Sequence, residues 1–280
     1  MNQHPHAPKG GYRAKQALGQ HFISDEKLLD ELVRLSNVGE EDSVFEIGPG
    51  LGGLTAALAK TARQVIALEV DQDLLPILRV TLHGCEHVQV VQGDVMTTDL
   101  HALLSPLGPF HVVANLPYYL TTPILNRLFH LSLPVQSINV MVQKEAADRL
   151  VAQPDMPSYG PLAVLAQYKA EPRVVMDIPR SAFSPPPKAE SVFVCMPMRS
   201  KPPIEVADEA RLFRLVSAAF AMRRKTLLNN LMPAFGLSRE QAEAVLEAAG
   251  LDTRVRGEAL DLPAFARLAE ALSRSTAIAP

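Results

Sequence analysis

The feature that most constrains this chain is an alternation of short apolar runs and helix-length segments over its first 200 residues. The runs are rich in β-branched residues, which is typical of strands buried on both faces. They are SVFEI (43–47), QVIALEV (64–70), HVQVVQG (87–93), HVVAN (111–115) and INVMVQ (138–143). Residues 72–83 and 121–131 have the length of helices. This alternation predicts an α/β fold whose parallel sheet carries helices on both faces.

A second, helical region is expected after residue 202. Four segments there have apolar residues at helical spacing: DEARLFRLVSAAF, RRKTLLNNLM, SREQAEAVLEAAG and DLPAFARLAEAL. Ser238 and Asp261 are predicted to cap helix N-termini, and Gly250 a C-terminus. The stretch MRSKPPIEVAD is interpreted as the linker between the two regions.

Composition limits the classes of function. The 280 residues are 48% apolar and 20% charged, which is typical of a globular protein of one large or two ordinary domains. No apolar run reaches the roughly 18 residues of a membrane span, and the first 15 residues lack the apolar stretch of a signal peptide, so a cytoplasmic protein is expected. Cys85 and Cys195 lack metal-ligand spacing, so no metal site is predicted.

The formal net charge of −3 argues against a chain that is basic throughout, but two segments are locally basic. Residues 1–22 carry Lys9, Arg13 and Lys15 and no acid. Residues 199–225 carry seven basic and three acidic residues. Such blocks can be solvated surface or nucleic-acid contacts, and the count alone does not decide between them.

Ligands of parallel α/β sheets bind beyond the carboxyl ends of the strands, so the residues that follow each run are the candidates for a site. The first run leads into EIGPGLGGLT, where Gly48, Gly50 and Gly52 allow a sharp turn and a close approach to a ligand. The second ends at Glu69, 21 residues after Gly48, an interval at which an acid reaches ribose hydroxyls. The third is followed by Asp94, where a carboxylate can accept from an adenine amino group. Together these ends predict an adenosine-containing cofactor.

Two cofactor classes fit an adenosine held in this way, a dinucleotide and S-adenosylmethionine. A dinucleotide is expected to require G-x-G-x-x-G, whereas this loop is G-x-G-x-G and follows Glu46. A carboxylate is poorly placed beside phosphates but suits a cationic sulfonium or ammonium group. S-adenosylmethionine is therefore favoured.

The fourth run ends in the sequence NLPY (115–118). An exocyclic adenine amine is a poor nucleophile, because its lone pair is delocalised into the ring, and acceptors for its N–H groups would localise that lone pair. Asn115 offers one acceptor, and the carbonyl of Leu116 offers a second because Pro117 holds the preceding residue extended. Tyr118 offers a flat face for stacking a base. The pattern predicts methylation of an adenine amine, and the alternative is an ordinary strand-to-helix loop.

Several blocks, in order along the chain, resemble the ribosomal RNA adenine N6-dimethyltransferases, and most closely their bacterial small-subunit members. They are KQALGQHFISD, EIGPGLGGLT, LEVD, GDVM, NLPYYLTTPI, MVQKEAADRL, YGPLAVLAQY, FSPPPKAESVFV and RRKTLLNNL. The resemblance implies a Rossmann-like methyltransferase sheet with a smaller all-α C-terminal domain. It divides the chain into an N-terminal arm over the cofactor site (1–24), the methyltransferase domain (25–201) and an RNA-contacting helical domain (202–280).

The resemblance also implies a reaction and site residues. The reaction is S-adenosylmethionine-dependent N6,N6-dimethylation of two adjacent adenosines in the 3′-terminal hairpin of 16S rRNA, in immature 30S subunits, by a monomeric enzyme. The implied cofactor contacts are His21, Ile23, Gly48, Gly50, Glu69, Asp94 and Asn115. His21 occupies a position that is often Asn in the family. Phe183 is placed opposite Tyr118 on the target base, although Ala189 in the same loop replaces a bulkier aliphatic residue. Arg223, Arg224 and Lys225 resemble a family cluster that contacts RNA.

Three alternatives remain at this level. The first is a relative that methylates 23S rRNA and confers antibiotic resistance, although such enzymes tend to be more basic. The second is a DNA or protein-glutamine methyltransferase, which usually has two prolines in the motif at 115–118. The third is a largely non-catalytic factor that binds immature 30S subunits.

Overall fold

The computed structural model of the chain describes residues 12–276, so Lys9 and the first part of the expected N-terminal arm lie outside the described residues. The strands are β1 Phe22–Ile23, β2 Ser43–Ile47, β3 Gln64–Glu69, β4 Val88–Gln92, β5 Phe110–Asn115, β6 Val135–Gln143, β7 Arg173–Ile178, β8 Phe183–Ser184 and β9 Ser191–Pro197. The helices are α1 Glu26–Leu35, α2 Gly53–Ala59, α3 Leu75–Thr81, α4 Leu100–Leu104, α5 Thr121–Phe129, α6 Lys144–Val151, α7 Pro161–Lys169, α8 Glu209–Ala219, α9 Leu227–Phe235, α10 Arg239–Ala248 and α11 Leu262–Thr276.

Seven of the strands form one sheet in the order β4-β3-β2-β5-β6-β9-β7. Strands β2 to β6 pair in parallel, which confirms the parallel core predicted from the apolar runs. All five residues of β2 and five of the six in β5 are buried, because helices cover both faces of the sheet centre. The strand order reverses at β2: the chain continues to β3 and β4 on one side of β2 and then to β5 and β6 on its other side. Ligands bind at such a crevice, at the carboxyl ends of the strands.

The last two strands of the sheet depart from the predicted parallel pattern. Strand β9 is antiparallel to both β6 and β7. Ser191 at the start of β9 consequently pairs with Gln143 at the carboxyl end of β6. The reversed direction brings the proline-rich loop that precedes β9 to the edge of the sheet where the parallel strands end.

The chain divides into two compact units, one formed by residues up to 147 with 171–198, the other by residues 148–170 and from 199 onward. The sequence-predicted division at 201/202 is close to the second boundary but did not assign 148–170 to the helical unit. That segment belongs there because its apolar residues pack into the core of the helical unit. Tyr159, Val164 and Tyr168 are buried in the same cluster as Leu212 and Phe265.

Most predicted helix ends of the second unit are confirmed. The Ser238 side chain caps α10 in a reciprocal capping box with Gln241, and Asp261 accepts from the N–H of Ala264 at 2.8 Å. Gly250 follows the last helical turn with φ +70°. The expected helix over RRKTLLNNLM was wrong at its start, because α9 begins only at Leu227.

The basic residues 223–225 therefore lie in a turn rather than on a helix. The buried amide of Asn230 fixes this turn by donating to the carbonyls of Ala219 at 3.0 Å and Met222 at 3.4 Å. Within residues 12–276, no helix is long and apolar enough to cross a bilayer. The same range holds no group of three or more His, Cys, Asp or Glu side chains arranged to bind a metal ion.

Candidate active site

A cavity lies at the carboxyl ends of β2, β3 and β5, and residues 18–23 of the N-terminal segment 12–23 close one side of it. We call this segment the arm. The predicted site residues that line the cavity are His21, Ile23, Gly48, Gly50, Glu69, Asn115, Leu116, Pro117 and Tyr118. Glu46, Leu18, Gly19, Gln20 and Met141 also line it. Of the residues predicted to contact the cofactor or the target base, Asp94 and Phe183 do not line the cavity.

The glycine loop after β2 follows the backbone path that the sequence predicted. Gly48 and Gly50 have φ values of +70° and +59°, which side-chain-bearing residues rarely adopt. A Cβ on Gly50 would lie 2.9 Å from Cδ1 of Phe22, so glycine is also needed for the close approach of the arm. The loop is thus fixed both by conformation and by contact with the arm.

Two carboxyl groups at the floor of the cavity differ in how their oxygens are used. Both oxygens of Glu69 accept backbone N–H groups, from Gly50 at 3.1 Å and from Asp71 at 2.8 Å. Glu46 is 1% exposed, and its Oε2 has no hydrogen-bond partner. Burial raises the pKa of Glu46 to about 8, although the nearby Thr55 hydroxyl acts against this rise and the charge of Glu69 adds to it. Burial also raises the pKa of Glu69.

Asn115 ends β5 with a defined amide orientation. Its Nδ2 donates to the carbonyl oxygen of His21 at 2.8 Å. A carbonyl oxygen can only accept, so the amide nitrogen must face the arm, and Oδ1 is left as the acceptor. The N–H of Leu116 donates to the carbonyl oxygen of Met141 at 3.1 Å. This bond continues the pairing of β5 with β6 one residue past the end of β5.

The rings around NLPY are held by contacts with the arm and with β9. The Tyr118 hydroxyl is 2.8 Å from Oγ of Ser191, which is 1% exposed. The His21 imidazole stacks on Tyr118 with ring centroids 5.5 Å apart, and meets Phe183 edge-on at 6.4 Å. Its Nδ1 is 2.7 Å from the carbonyl oxygen of Pro185, so Nδ1 carries a proton. The imidazole thus contacts both rings that were predicted to clamp a base.

Phe183 itself is 4% exposed and packs in the core with β-sheet residues such as Met141 and Phe193. Strand β8 pairs with β1, with Phe183 opposite Ile23. Asp94 accepts from the N–H of Met96 at 2.8 Å in the loop after β4.

The Asp71 carboxylate is a site feature that the sequence reasoning missed. It accepts from Nζ of Lys15 at 2.6 Å, from Nε2 of Gln20 at 2.9 Å and from the hydroxyl of Tyr12. Burial would raise the pKa of Asp71, but these hydrogen bonds outweigh it and lower the pKa to about 2. No role of its own was predicted for Asp71 from the sequence; the only signal for it was that the blocks KQALGQHFISD and LEVD, which contain Lys15, Gln20 and Asp71, are both parts of the family resemblance.

The predicted RNA contacts belong to the helical unit. Arg223, Arg224 and Lys225 are all exposed. The Arg223 guanidinium donates to the carbonyl of Pro157 at 2.9 Å and lies 3.5 Å from the carboxylate of Glu258. Arg223 is therefore held partly by its own unit.

Comparison with known proteins identifies the family. The sequence profile described as "Ribosomal RNA adenine dimethylase" matches residues 11–271. The chain belongs to the ribosomal RNA adenine dimethylase family. It is accordingly an rRNA adenine dimethyltransferase that uses S-adenosylmethionine.

Curated members of the dimethylase family align along nearly the whole chain. "Ribosomal RNA small subunit methyltransferase A" of Geobacillus thermodenitrificans is 44% identical over 269 residues, which cover 94% of this chain and 92% of that protein. The protein of the same name from Bacillus cereus strain AH187 is 44% identical over 271 residues, with 94% and 93% covered.

Solved structures support the same fold. The 23S rRNA methyltransferase ErmE is 27% identical, with a TM-score of 0.68 over 90% of this chain and 99% of its own. A dimethyladenosine transferase from Plasmodium falciparum superposes with a TM-score of 0.79 at 22% identity, over 91% and 98%. The Rossmann-like fold expected from the sequence is confirmed.

The dimethylase cavity fits the cofactor of its family. The unpartnered, buried Oε2 of Glu46 is an unusual feature that a cationic ligand would compensate. The glycine loop leaves the floor open, since a Cβ on Gly48 would meet no atom within 4 Å. A small cationic nucleoside therefore suits both the charge and the shape of this site.

Proposed function

We propose that this dimethylase methylates N6 of two adjacent adenosines in the 3′-terminal hairpin of 16S rRNA, within immature 30S subunits. The names of relatives that are 44% identical over 94% of the chain support the small subunit as the substrate. On this proposal the enzyme acts in the cytoplasm, where subunits are assembled, and as a monomer.

The observation that carries the proposed chemistry is the fixed amide of Asn115. Because the His21 carbonyl holds Nδ2 at 2.8 Å, Oδ1 is preorganised to accept from an adenine amine. We assign the second acceptor to the carbonyl of Leu116, which Pro117 holds in an extended segment. Two acceptors on one amine localise its lone pair on nitrogen. Bound S-adenosylmethionine supplies the electrophilic methyl group.

We further propose that Tyr118 and Phe183 hold the flipped target base. An amine inside a hairpin cannot reach a methyl donor at the strand ends, so the base must leave its stack. The hydrogen bond between the Tyr118 hydroxyl and Oγ of Ser191 fixes the position of the far end of the tyrosine ring. A base entering between the two rings takes the place of the His21 imidazole, so this side chain rotates away while the His21 carbonyl keeps its hydrogen bond with Asn115.

The proposed cofactor contacts follow from position around the cavity. Glu69 is assigned to the ribose hydroxyls, since its backbone hydrogen bonds orient the carboxylate and leave lone pairs on both oxygens. Gly48 and Gly50 permit close approach, and the arm residues His21 and Ile23 cover the cofactor. Asp94 remains the proposed partner of the adenine amino group. It does not line the cavity, so the adenine of the cofactor would have to extend to the edge of the cavity to contact it.

We assign RNA backbone contacts to Arg223, Arg224 and Lys225, and with them an rRNA-contacting role to the helical unit. Exposed arginine and lysine side chains position a protein on phosphates without reading sequence. Arg223 is the weakest of the three candidates, because it already contacts Glu258.

Transfer of tritiated methyl groups tests the proposal. The substrates are 30S and 50S subunits from cells that lack the corresponding methylations, and the products are analysed as nucleosides. We expect N6,N6-dimethyladenosine in 16S rRNA only. Asn115→Ala is expected to lower kcat by at least about 10²-fold, as when one preorganised contact to a transition state is removed. Near-normal turnover of that variant would exclude the proposed role of Asn115.

The similarity to ErmE favours one alternative, methylation of 23S rRNA. Methyl incorporation into 50S rather than 30S subunits would establish that alternative and exclude ours. Tight binding to 30S without incorporation would instead indicate a mainly non-catalytic assembly factor.

A further inference from the structure

Tyr119 is an exposed aromatic residue immediately beside the proposed base pocket. It is 57% exposed, and it is the one aromatic side chain among the exposed large hydrophobic residues of the described range. A Cβ built on Gly19 would lie 3.4 Å from two carbons of its ring and 3.8 Å from Pro117. The ring therefore rests against the arm and the NLPY turn, and the rest of its surface faces solvent.

Binding of the cofactor does not explain why an aromatic residue is exposed at position 119. The cavity lining includes Leu116, Pro117 and Tyr118 but not Tyr119. The two tyrosines begin a single 3-10 turn, Tyr118–Leu120, in which successive side chains point about 120° apart. Tyr118 is consequently directed toward Ser191 and His21, and Tyr119 toward Gly19 and the outside.

We propose that Tyr119 stacks on the nucleotide adjacent to the adenosine being methylated, and that it thereby selects a substrate with a purine at that position. This inference rests on the proposed function, in which two adjacent adenosines are modified. Flipping one adenosine removes the stacking partner of its neighbour. An aromatic ring next to the pocket mouth replaces that partner, and it favours a purine because the larger purine ring overlaps it more than a pyrimidine does.

The surroundings of Tyr119 suit this role. Gly19 has φ +62° and no side chain, so the ring can lie close against the arm. This backing limits the motion of the ring and reduces the entropy lost when a base stacks on it. Methylation of that neighbouring adenosine does not prevent the stacking, since stacking needs no hydrogen bond from the amine.

Steady-state kinetics on undermethylated 30S subunits test the inference. We expect Tyr119→Ala to raise KM for 30S by about 5- to 150-fold, corresponding to stacking of about 1 to 3 kcal/mol. The affinity for S-adenosylmethionine, measured by calorimetry, should change less than about twofold. Tyr119→Phe keeps the ring and should resemble the wild type. Val80→Ala, which also removes a highly exposed apolar side chain, is the matched control and should have no effect.

Reconstituted 30S subunits in which one of the two adenosines is replaced by uridine give a sharper test. The replacement should raise KM of the wild type for the remaining adenosine, because a pyrimidine stacks less well, but should have little effect on Tyr119→Ala. This non-additivity would link Tyr119 to the neighbouring base rather than to RNA in general.

Several results would overturn the inference. They are an unchanged KM in Tyr119→Ala, a loss as large in Tyr119→Phe as in Tyr119→Ala, additive effects of the uridine and Tyr119→Ala changes, or a parallel loss of cofactor affinity. The last would mean that Tyr119 merely supports the arm. Absence of 30S methylation by the wild-type enzyme would instead refute the proposed function, and this inference with it.

Discussion

At the scale of single residues, Glu46 is a group whose charge state should depend on the cofactor. Burial at the end of β2 raises the pKa of this carboxyl to about 8, so it is largely protonated at neutral pH in the ligand-free protein. A cationic ligand favours the ionised form. Binding of S-adenosylmethionine should therefore release a proton from Glu46.

We predict that cofactor affinity increases as the pH rises from about 6 to about 8, by at most tenfold per pH unit, and levels off above that. The direction follows because the ligand prefers the deprotonated carboxyl. Calorimetry in buffers of different ionisation enthalpy measures the released proton. Glu46→Gln, which cannot titrate, is the control that separates this effect from ionisation of the cofactor. Equal proton release by Glu46→Gln and the wild type would contradict the prediction.

At the scale of elements, the first part of the arm is anchored by one buried carboxylate, whereas β1 holds its other end. The side chain of Asp71 is 2% exposed and binds three arm residues, Tyr12, Lys15 and Gln20. Its backbone N–H also donates to Glu69. The anchor of the arm and the proposed ribose contact are therefore parts of one hydrogen-bonded cluster. With its pKa lowered to about 2, Asp71 contributes stability that is present above about pH 4 and lost as the pH falls through about 2.

Asp71→Asn should loosen the arm and weaken cofactor binding at least about tenfold, the scale of losing a hydrogen bond to a charged group. Amide hydrogen exchange over residues 12–23 should become faster. Asp73→Asn is the matched control, because Asp73 contacts the same Lys15 at 2.7 Å but its side chain is 70% exposed. If the two variants behaved alike, Asp71 would not be the anchor.

The sequence predicted the parallel strands well and the antiparallel ones poorly, for a physical reason. Strands β2 to β6 are apolar runs that end in Gly, acid or amide residues, and this pattern is local. Strand β7 is at the edge of the sheet, and its Val174 and Val175 are exposed, so it lacks a clear buried pattern. Likewise, Asp71 meets Lys15 across 56 positions, and no local pattern reports such a contact.

At the scale of the whole molecule, the net charge of −3 does not indicate where RNA could bind, because the basic residues are concentrated in particular segments. Membership of residues 148–170 in the helical unit could not be predicted from the sequence, because it depends on packing between distant segments. The sequence predicted the local excess of basic residues that includes 223–225. It did not predict that Arg223 contacts Pro157 and Glu258.

We predict that the double variant Arg224→Ala, Lys225→Ala lowers the salt dependence of 30S binding. Two lost phosphate contacts should reduce the slope of log K against log salt by roughly 1.4 to 1.8. The control is Arg239→Ala, since Arg239 is exposed but paired with Glu243 on α10. An unchanged slope in the double variant would exclude the turn as a phosphate-binding site.

The pairing of β1 with β8 has a consequence for biosynthesis. Phe22 and Ile23 leave the ribosome early, yet their partners Ser184 and Phe183 are translated about 160 residues later. Asp71 becomes available well before β8 does, so the arm can be tethered at one end while its other end still lacks a strand to pair with. A nascent chain shorter than about 184 residues therefore lacks the strand that pairs with Phe22 and Ile23, and we expect this end of the arm to be held in place only late in translation.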